Sequence, residues 1–460
     1  MCGLPRSESD RNAPLPLQKS DGLPYGSDRA EGHIRVIKAW KRSRPGAGQV
    51  GSSPGVDREQ ARRRPGADRE RDGNGPEAER KQTGSGMEAD RSGIEADWKR
   101  KAGDPINERR ECDDNLRVRV DEISRFARAI LASVGVPQPN ADTLSDVLVH
   151  ADMQGIFSHG MSRLPTYAAR IERGLINPRT SGSVVTRRGA VRVIDGENGI
   201  GQVLGVRAMQ DAIDGAGEHG VGIVGVRRSN HFGVAGYYAE LGAEMGMIGI
   251  ALTNSPKGIP PWGGREAYFG TNPIAAAIPV PGRLPIVIDL ATSVTARGDI
   301  ILAAQRGEPI PKGWAIDSEG RPTTDAQAAL TGAVLPMAGP KGYALALLVE
   351  VLTGVLTGAA FGPHVLNMYE DWTQGSEMGH LFIAIDPAAF GDPAFFLDRM
   401  ETMAREIEAV PPASGATAPR LPGERRHASA IRARKEGISY SPSIWAALER
   451  LGLERGVPLP

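Results

Sequence analysis

Between residues 221 and 290, compact apolar runs alternate with helical periodicity, and this constrains the fold more than any other feature of the chain. The runs are Val221–Val226, Met247–Leu252, Pro273–Ile278 and Ile286–Leu290, with a helical pattern from Val234 to Glu244 between the first two. Such alternation predicts an α/β layer around a substantially buried sheet.

The flanks differ. Leu116, Val118 and Val120 alternate with Arg117 and Arg119, then Ile123, Phe126, Ala127, Ile130, Leu131 and Val134 recur at helical spacing up to Gly135 and Pro137. This is the pattern of a short strand feeding an amphipathic helix. Asn140 is placed to cap a second helix carrying Leu144, Val147, Leu148 and Ala151; Ser162 is placed to cap a third, marked by Leu164, Tyr167, Ala168 and Ile171 and ending at Gly174. A small helical subdomain over residues 116–180 is expected. The α/β domain covers 181–423, with an apolar helix at Gly342–Gly358, a strand at Leu381–Ile385, a helix at Phe395–Ile407 and a Pro/Ala/Gly-rich link at Pro411–Pro422. Polar amphipathic helices over 424–460 are expected to pack back on the helical subdomain.

Residues 1–115 hold 44 of the 110 charged side chains, 23 basic and 21 acidic, no Phe, and runs such as Arg62-Arg63-Arg64-Pro65-Gly66. A segment of that composition cannot bury enough apolar surface to offset ordering, so it reads as a disordered tail. Its interleaved charges lack the clear basic excess of a phosphate-binding arm, so nucleic acid is not an expected partner. Neither a secretory pattern nor an apolar stretch of membrane-spanning length is found, which makes a soluble, cytoplasmic protein the expectation. Both cysteines, Cys2 and Cys112, precede the body, which excludes thiol catalysis and a disulfide framework within it.

Imidazole remains the group that titrates nearest neutral pH. His231 lies in Arg228-Ser229-Asn230-His231-Phe232-Gly233, directly after an apolar run and before a helix. Open α/β sheets bind ligands in such loops, although a histidine there can also serve only to hold the loop. A second polar turn, Thr253-Asn254-Ser255-Pro256-Lys257-Gly258, opens on the same sheet edge if the two strands run parallel. His159 lies in Ser158-His159-Gly160-Met161-Ser162-Arg163, where the arginine opposes a helix dipole unless an anion offsets it. Asp289 can bind a ribose, orient a histidine or cap the following helix. Lys341, in Gly339-Pro340-Lys341-Gly342, stands where a helix start and an ammonium can hold a phosphate, although Pro340 removes a donor. Gly196-Glu197-Asn198-Gly199-Ile200-Gly201 is not G-x-G-x-x-G, so a conventional dinucleotide fingerprint is rejected. His364, Glu370 and His380 lack metal-ligand spacing, and no metal is expected.

In order, these turns resemble the malate/L-lactate dehydrogenase family that is distinct from the Rossmann-type enzymes. The resemblance is carried by Ser158–Pro165, Ser229–Gly233, Pro261-Trp262-Gly263-Gly264, Gly270-Thr271-Asn272-Pro273, Asp289–Ser293, Gly313–Asp317, Pro322–Asp325, Lys341-Gly342 and His380–Asp386, and it runs from about Leu116 to the C-terminus. It implies a non-Rossmann mixed sheet layered with helices, a homodimer, and NAD or NADP as cofactor. It implies hydride transfer between that cofactor and a small 2-hydroxy acid or 2-keto acid of the malate, lactate or sulfolactate type. His231 becomes the proton donor and acceptor; Ser158, His159, Arg163, Thr271 and Asn272 line the substrate side; Ser255, Asp289, Leu290, Ala291 and Lys341 contact the cofactor. The alternatives are a reductase of a cyclic imine or keto-sugar acid on the same fold, and an inactive binding protein with a nucleic-acid-contacting tail.

Overall fold

Helix α1 (Val120–Ser133) forms where Ile123, Phe126, Ala127, Ile130 and Leu131 share one buried face, and Asp121 and Glu122 in its first turn complement the helix dipole. This computed structural model describes residues 116–460, so the disordered tail expected over residues 1–115 falls outside the described residues. Helix α2 (Gln138–Met153) starts ahead of Asn140, with Pro137 in the cap position and Pro139 in the first turn, where a missing N–H costs little. Asn140 is therefore not its cap; the Asn140 amide donates to the Pro178 carbonyl (2.8 Å). Helix α3 (Leu164–Glu172) likewise has a proline, Pro165, in its first turn and is not capped by Ser162, whose hydroxyl donates to the Phe157 carbonyl (2.5 Å).

Strand β1 (Leu116–Val118) pairs antiparallel with β12 (Ile438–Tyr440), which lies between helices α10 (Glu424–Glu436) and α11 (Pro442–Arg455). One apolar core joins Phe126, Leu148 and Tyr167 to Ala430, Tyr440 and Leu448. The C-terminal helices thus pack on the first three.

The main sheet has seven strands: β2 (Ser183–Arg188), β3 (Val191–Asp195), β4 (Val221–Ser229), β5 (Ile248–Thr253), β6 (Ile274–Ile278), β7 (Ile286–Leu290) and β11 (Met378–Ile385), in the order β2-β3-β4-β11-β5-β6-β7. Only β3 and β4 pair in parallel. Because β11 lies antiparallel between β4 and β5, those two strands run the same way. The turns that follow them open on one edge.

Helices α4 (Gly201–His219) and α5 (Ala235–Glu244) cover one face, where Leu204, Met209, Tyr238 and Leu241 meet Val224, Val226 and Phe382. Helix α8 (Pro340–Glu350) covers the other, packing Val349 with Leu252 and Leu381. The apolar helix expected over 342–358 is shorter, because its backbone passes into a π-helical turn at Val351–Val355. Outside it, Leu348, Val355 and Leu356 are left 52%, 55% and 66% exposed. Between β7 and α8, helices α6 (Arg297–Arg306) and α7 (Ala326–Thr331) and strands β8 (Ala315–Ile316), β9 (Pro322–Thr323) and β10 (Ala333–Val334) form a satellite around Ile300, Ile310 and Ala329. Helix α9 (Pro393–Ala409) packs Met400 and Ala404 against Val280 and Ile286. Among the described residues no helix is long and apolar enough to cross a membrane.

Candidate active site

The turn after β4 is held from several sides. Asn230 donates through its amide to the Asn198 carbonyl (3.2 Å), the Asn198 side-chain oxygen (2.8 Å) and the Gly199 carbonyl (3.0 Å), and its own amide oxygen accepts the Ser376 N–H (3.1 Å). The glycine-rich turn at 196–201 therefore supports His231. A Cβ on Gly201 would come within 2.3 Å of the Asn230 carbonyl oxygen, a contact that only glycine avoids. Beneath the turn, His380 bridges Ser229 Oγ (2.7 Å) and Thr253 Oγ1 (2.7 Å) and stacks on Phe232, tying together the ends of β4, β11 and β5. Complete burial lowers its pKa to about 3, so it works as a neutral hydrogen-bonding tie.

His231 itself has its Nδ1 2.5 Å from the Tyr167 hydroxyl and 3.3 Å from the Gly233 N–H. The Tyr167 oxygen also accepts from the Gln202 amide (2.9 Å). Nε2 makes no hydrogen bond to any described residue. Burial above all, with His159 and the Arg163 cation nearby, holds the His231 pKa well below the usual imidazole range, so the ring is neutral.

Ser158, His159 and Arg163 come from two short 3-10 turns between α2 and α3. Buried Asp152 fixes this segment, accepting the Met161 N–H (2.9 Å) and the Tyr440 hydroxyl (2.8 Å) on one oxygen. Gly160 leaves room for that carboxyl, since a Cβ there would lie 1.8 Å from Asp152 Oδ1. His159 stacks beside His231 at 5.6 Å between ring centroids, with Ser158 Oγ 2.9 Å from its Nδ1. Burial, then the Arg163 and Arg426 cations, bring its pKa to about 4. Arg163 donates through Nε to the Ser158 carbonyl (2.5 Å) and lies over the Tyr369 ring (4.8 Å). It forms no ion pair with a carboxylate among the described residues. The result is a cation fixed at the start of α3, against the dipole, beside two neutral imidazoles.

The remaining predicted residues form a second wall. Ser255 donates its N–H to Asn272 Oδ1 (3.2 Å), and its hydroxyl lies 3.5 Å from that of Thr271. Asn272 is fully buried, and its amide donates to the Ala346 carbonyl (3.0 Å) and to Glu350 (2.7 Å). It therefore shapes the wall from behind and offers no polar atom to a ligand. The Thr271 carbonyl accepts the N–H (2.9 Å) and the hydroxyl (3.0 Å) of Thr292, joining this wall to the end of β7. Asp289 neither touches a histidine nor caps the helix after it: Oδ2 accepts the Gly236 N–H (3.3 Å) at the start of α5 and the Arg426 guanidinium (2.9 Å). Leu290 is 39% exposed beside it. Lys341 is exposed in the first turn of α8, unpaired among the described residues. Pro340 occupies N1, which costs the helix nothing but leaves one fewer free N–H at its start for a phosphate.

Sequence reasoning missed Tyr167, Gln202, Asp152, Tyr369 and Arg426. Tyr167 stands at an apolar helical spacing that carries no mark of chemistry, and Arg426 meets Asp289 across 137 residues. Among the described residues, no group of three or more His, Cys, Asp or Glu is placed to hold a metal ion.

A family model described as malate/L-lactate dehydrogenase matches residues 118–449. The L-sulfolactate dehydrogenase of Methanothermobacter thermautotrophicus is 39% identical over 346 residues, which are 74% of this chain and 97% of that protein. The (2R)-3-sulfolactate dehydrogenase (NADP(+)) of Chromohalobacter salexigens is 40% identical over 334 residues, 73% of this chain and 97% of that one. Among solved structures, malate dehydrogenase from Entamoeba histolytica superimposes with a TM-score of 0.72 at 32% identity, covering 75% of this chain and all (100%) of that one. The match over most of the described chain, together with the non-Rossmann mixed sheet, makes this protein a member of the malate/L-lactate dehydrogenase family.

Proposed function

We propose that the chain is an oxidoreductase that uses NAD or NADP to interconvert a small 2-hydroxy acid and its 2-keto acid, of the malate, lactate or sulfolactate type. The observation that carries this reading is the pairing of two groups. Among the described residues the Arg163 guanidinium has no carboxylate partner, and the Nε2 of neutral His231, stacked beside His159, has no hydrogen-bond partner. A carboxylate on the arginine leaves the adjacent hydroxyl or carbonyl oxygen for the imidazole.

The second wall suits a nicotinamide cofactor in its donor set: a free ammonium at a helix start, the Ser255 and Thr271 hydroxyls, and the Asp289 carboxylate beside exposed Leu290. Ser255, Asp289, Leu290, Ala291 and Lys341 would hold it, with Lys341 and the first-turn N–H groups on a phosphate. When bound, the nicotinamide supplies the two-electron exchange with the substrate carbon. In the oxidative direction His231 Nε2 takes the hydroxyl proton, which requires the ring's other proton to sit on Nδ1 and point at the Tyr167 oxygen, with the long 3.3 Å bond from the Gly233 N–H given up in that tautomer. In the reductive direction Nε2 returns the proton to the nascent alkoxide. Arg163 holds the substrate carboxylate throughout, and His159 offers a second hydrogen bond on the same side. The exposed face of Leu348, Val355 and Leu356 is where we place a second copy of the chain in a homodimer.

The test is a spectrophotometric screen of malate, lactate, sulfolactate and ureidoglycolate with both cofactors, run on the wild type and His231→Ala. Loss of the general base should lower turnover by about two or more orders of magnitude. Near-normal activity in His231→Ala overturns the assignment.

A further inference from the structure

Arg170 is the largest side chain in the described protein with essentially no exposed surface, and it has no carboxylate salt bridge among the described residues. Its guanidinium is devoted to one stretch of backbone: Nη1 donates to the carbonyls of Met368 (3.1 Å) and Asp371 (2.6 Å), and Nη2 to that of Gln374 (2.8 Å). Its Nε has no hydrogen-bond partner among the described residues. Burying a cation whose hydrogen bonds all go to carbonyls, with the Asp371 charge near it but not in a salt bridge, is expensive, so the segment it grips must be held for a reason.

The same segment is docked twice more. Trp372 lies against the guanidinium groups of Arg170 (5.5 Å) and Arg173 (4.6 Å), and its indole N–H donates to the Tyr369 carbonyl (3.1 Å). At the far end the Ser376 N–H donates to Asn230, the residue before His231. What this clamp presents toward the site is Tyr369, whose ring covers one face of the Arg163 guanidinium. With Nε already committed to the Ser158 carbonyl, Tyr369 supplies the remaining restraint on the plane of the arginine, through its ring and through the hydrogen bond between its hydroxyl and the guanidinium.

We propose, building on the dehydrogenase reading above, that residues 367–376 are the specificity element of the substrate pocket. Tyr369 fixes the plane in which Arg163 presents its N–H groups to the substrate carboxylate. Arg170 and Trp372 are positioning residues that hold Tyr369 in place.

The experiment compares the full-length wild type with Tyr369→Ala, Tyr369→Phe and Trp372→Ala in three measurements: steady-state kinetics, titration of the cofactor-loaded protein with oxamate, and amide exchange over residues 367–376. Losing a cation–π contact corresponds to about a two- to thirty-fold change in affinity. Tyr369→Ala should raise KM and the oxamate Kd by that factor while kcat stays within about threefold. Tyr369→Phe, which keeps the ring and loses the hydroxyl's hydrogen bond to Arg163, should fall between the wild type and Tyr369→Ala. Trp372→Ala should shift KM in the same direction and speed exchange across the segment. A fall in kcat with KM unchanged, a Phe variant no better than Ala, or exchange unaltered in Trp372→Ala overturns the proposal. If the wild type turns over none of the acids tested, the dehydrogenase reading fails, and the oxamate titration decides this one: binding weakened in Tyr369→Ala supports it, and equal binding overturns it.

Discussion

The Asp152 carboxyl is 2% exposed, engages Met161 and Tyr440 through one oxygen, and leaves the other with no partner among the described residues. Burial outweighs those two hydrogen bonds and raises its pKa from 3.8 to about 7. In the unfolded chain the group titrates near its ordinary value, so between about pH 4 and pH 7 the folded state binds a proton that the unfolded state does not. Stability therefore falls as pH rises through that window, by up to ~4 kcal/mol at ~1.4 kcal/mol per unit, and is level above it. Asp152→Asn keeps the shape and an acceptor for the Met161 N–H but has no proton to lose. The stability difference, variant minus wild type, should grow with pH across the window and flatten above pH ~7. Urea unfolding followed by tryptophan fluorescence at several pH values between 5 and 8.5 measures this directly. If the two proteins lose or gain stability in parallel across that range, Asp152 is ionised within the fold, and the account of how the Ser158–Arg163 segment is fixed is wrong.

Other perturbations separate the roles of the surrounding groups. Tyr167→Phe strands the Gln202 amide, at a cost of about 1–3 kcal/mol in stability. It should also lower kcat about tenfold with little change in KM, because His231 loses its orienting partner; an unchanged kcat would remove Tyr167 from the mechanism. Since burial, with the Arg163 cation nearby, lowers the His231 pKa, the base is already unprotonated at neutral pH. The acid limb of oxidative kcat/KM should lie below the ordinary imidazole value near 6.5, and a limb above it contradicts that environment. Lys341→Ala should weaken cofactor binding about tenfold, read by quenching of reduced-nicotinamide fluorescence, and an unaltered Kd points to another phosphate anchor. Leu356→Glu places a charge on the exposed apolar face and should shift the protein toward monomer in sedimentation; an unshifted species places the dimer contact elsewhere.

The parts legible in the sequence were those whose signal is local. Strands β4 to β7 are apolar runs bounded by turn residues, and the His231, Ser255 and Ser158–Arg163 turns follow from their positions between such elements. Helix α4 escaped because Gly201, Gly205, Gly215 and Gly217 dilute its helical preference, although they let it lie close to the sheet and to the His231 turn. The π-helical end of α8 escaped because the apolar pattern continues through Val351–Val355 while the hydrogen-bond spacing changes. In the site, the family resemblance implies Asn272 as a lining residue, yet its amide is consumed by Ala346 and Glu350. Asp289 was weighed as a cap for the helix that follows it, and instead meets α5 and Arg426. These partners lie tens to hundreds of residues away, and no local pattern records them.

The pairing of β1 with β12 bears on the order of events during synthesis. The sheet and its covering helices can assemble as the chain emerges, since all their strands precede residue 386. The turn bearing His159 and Arg163 is latched by Tyr440 through Asp152, and Asp289 is seated by Arg426. A ribosome that has delivered every residue expected to do chemistry has thus made a folded layer without a finished pocket. The pocket is complete only when the segment from residue 424 onward has packed against the first strand of the body.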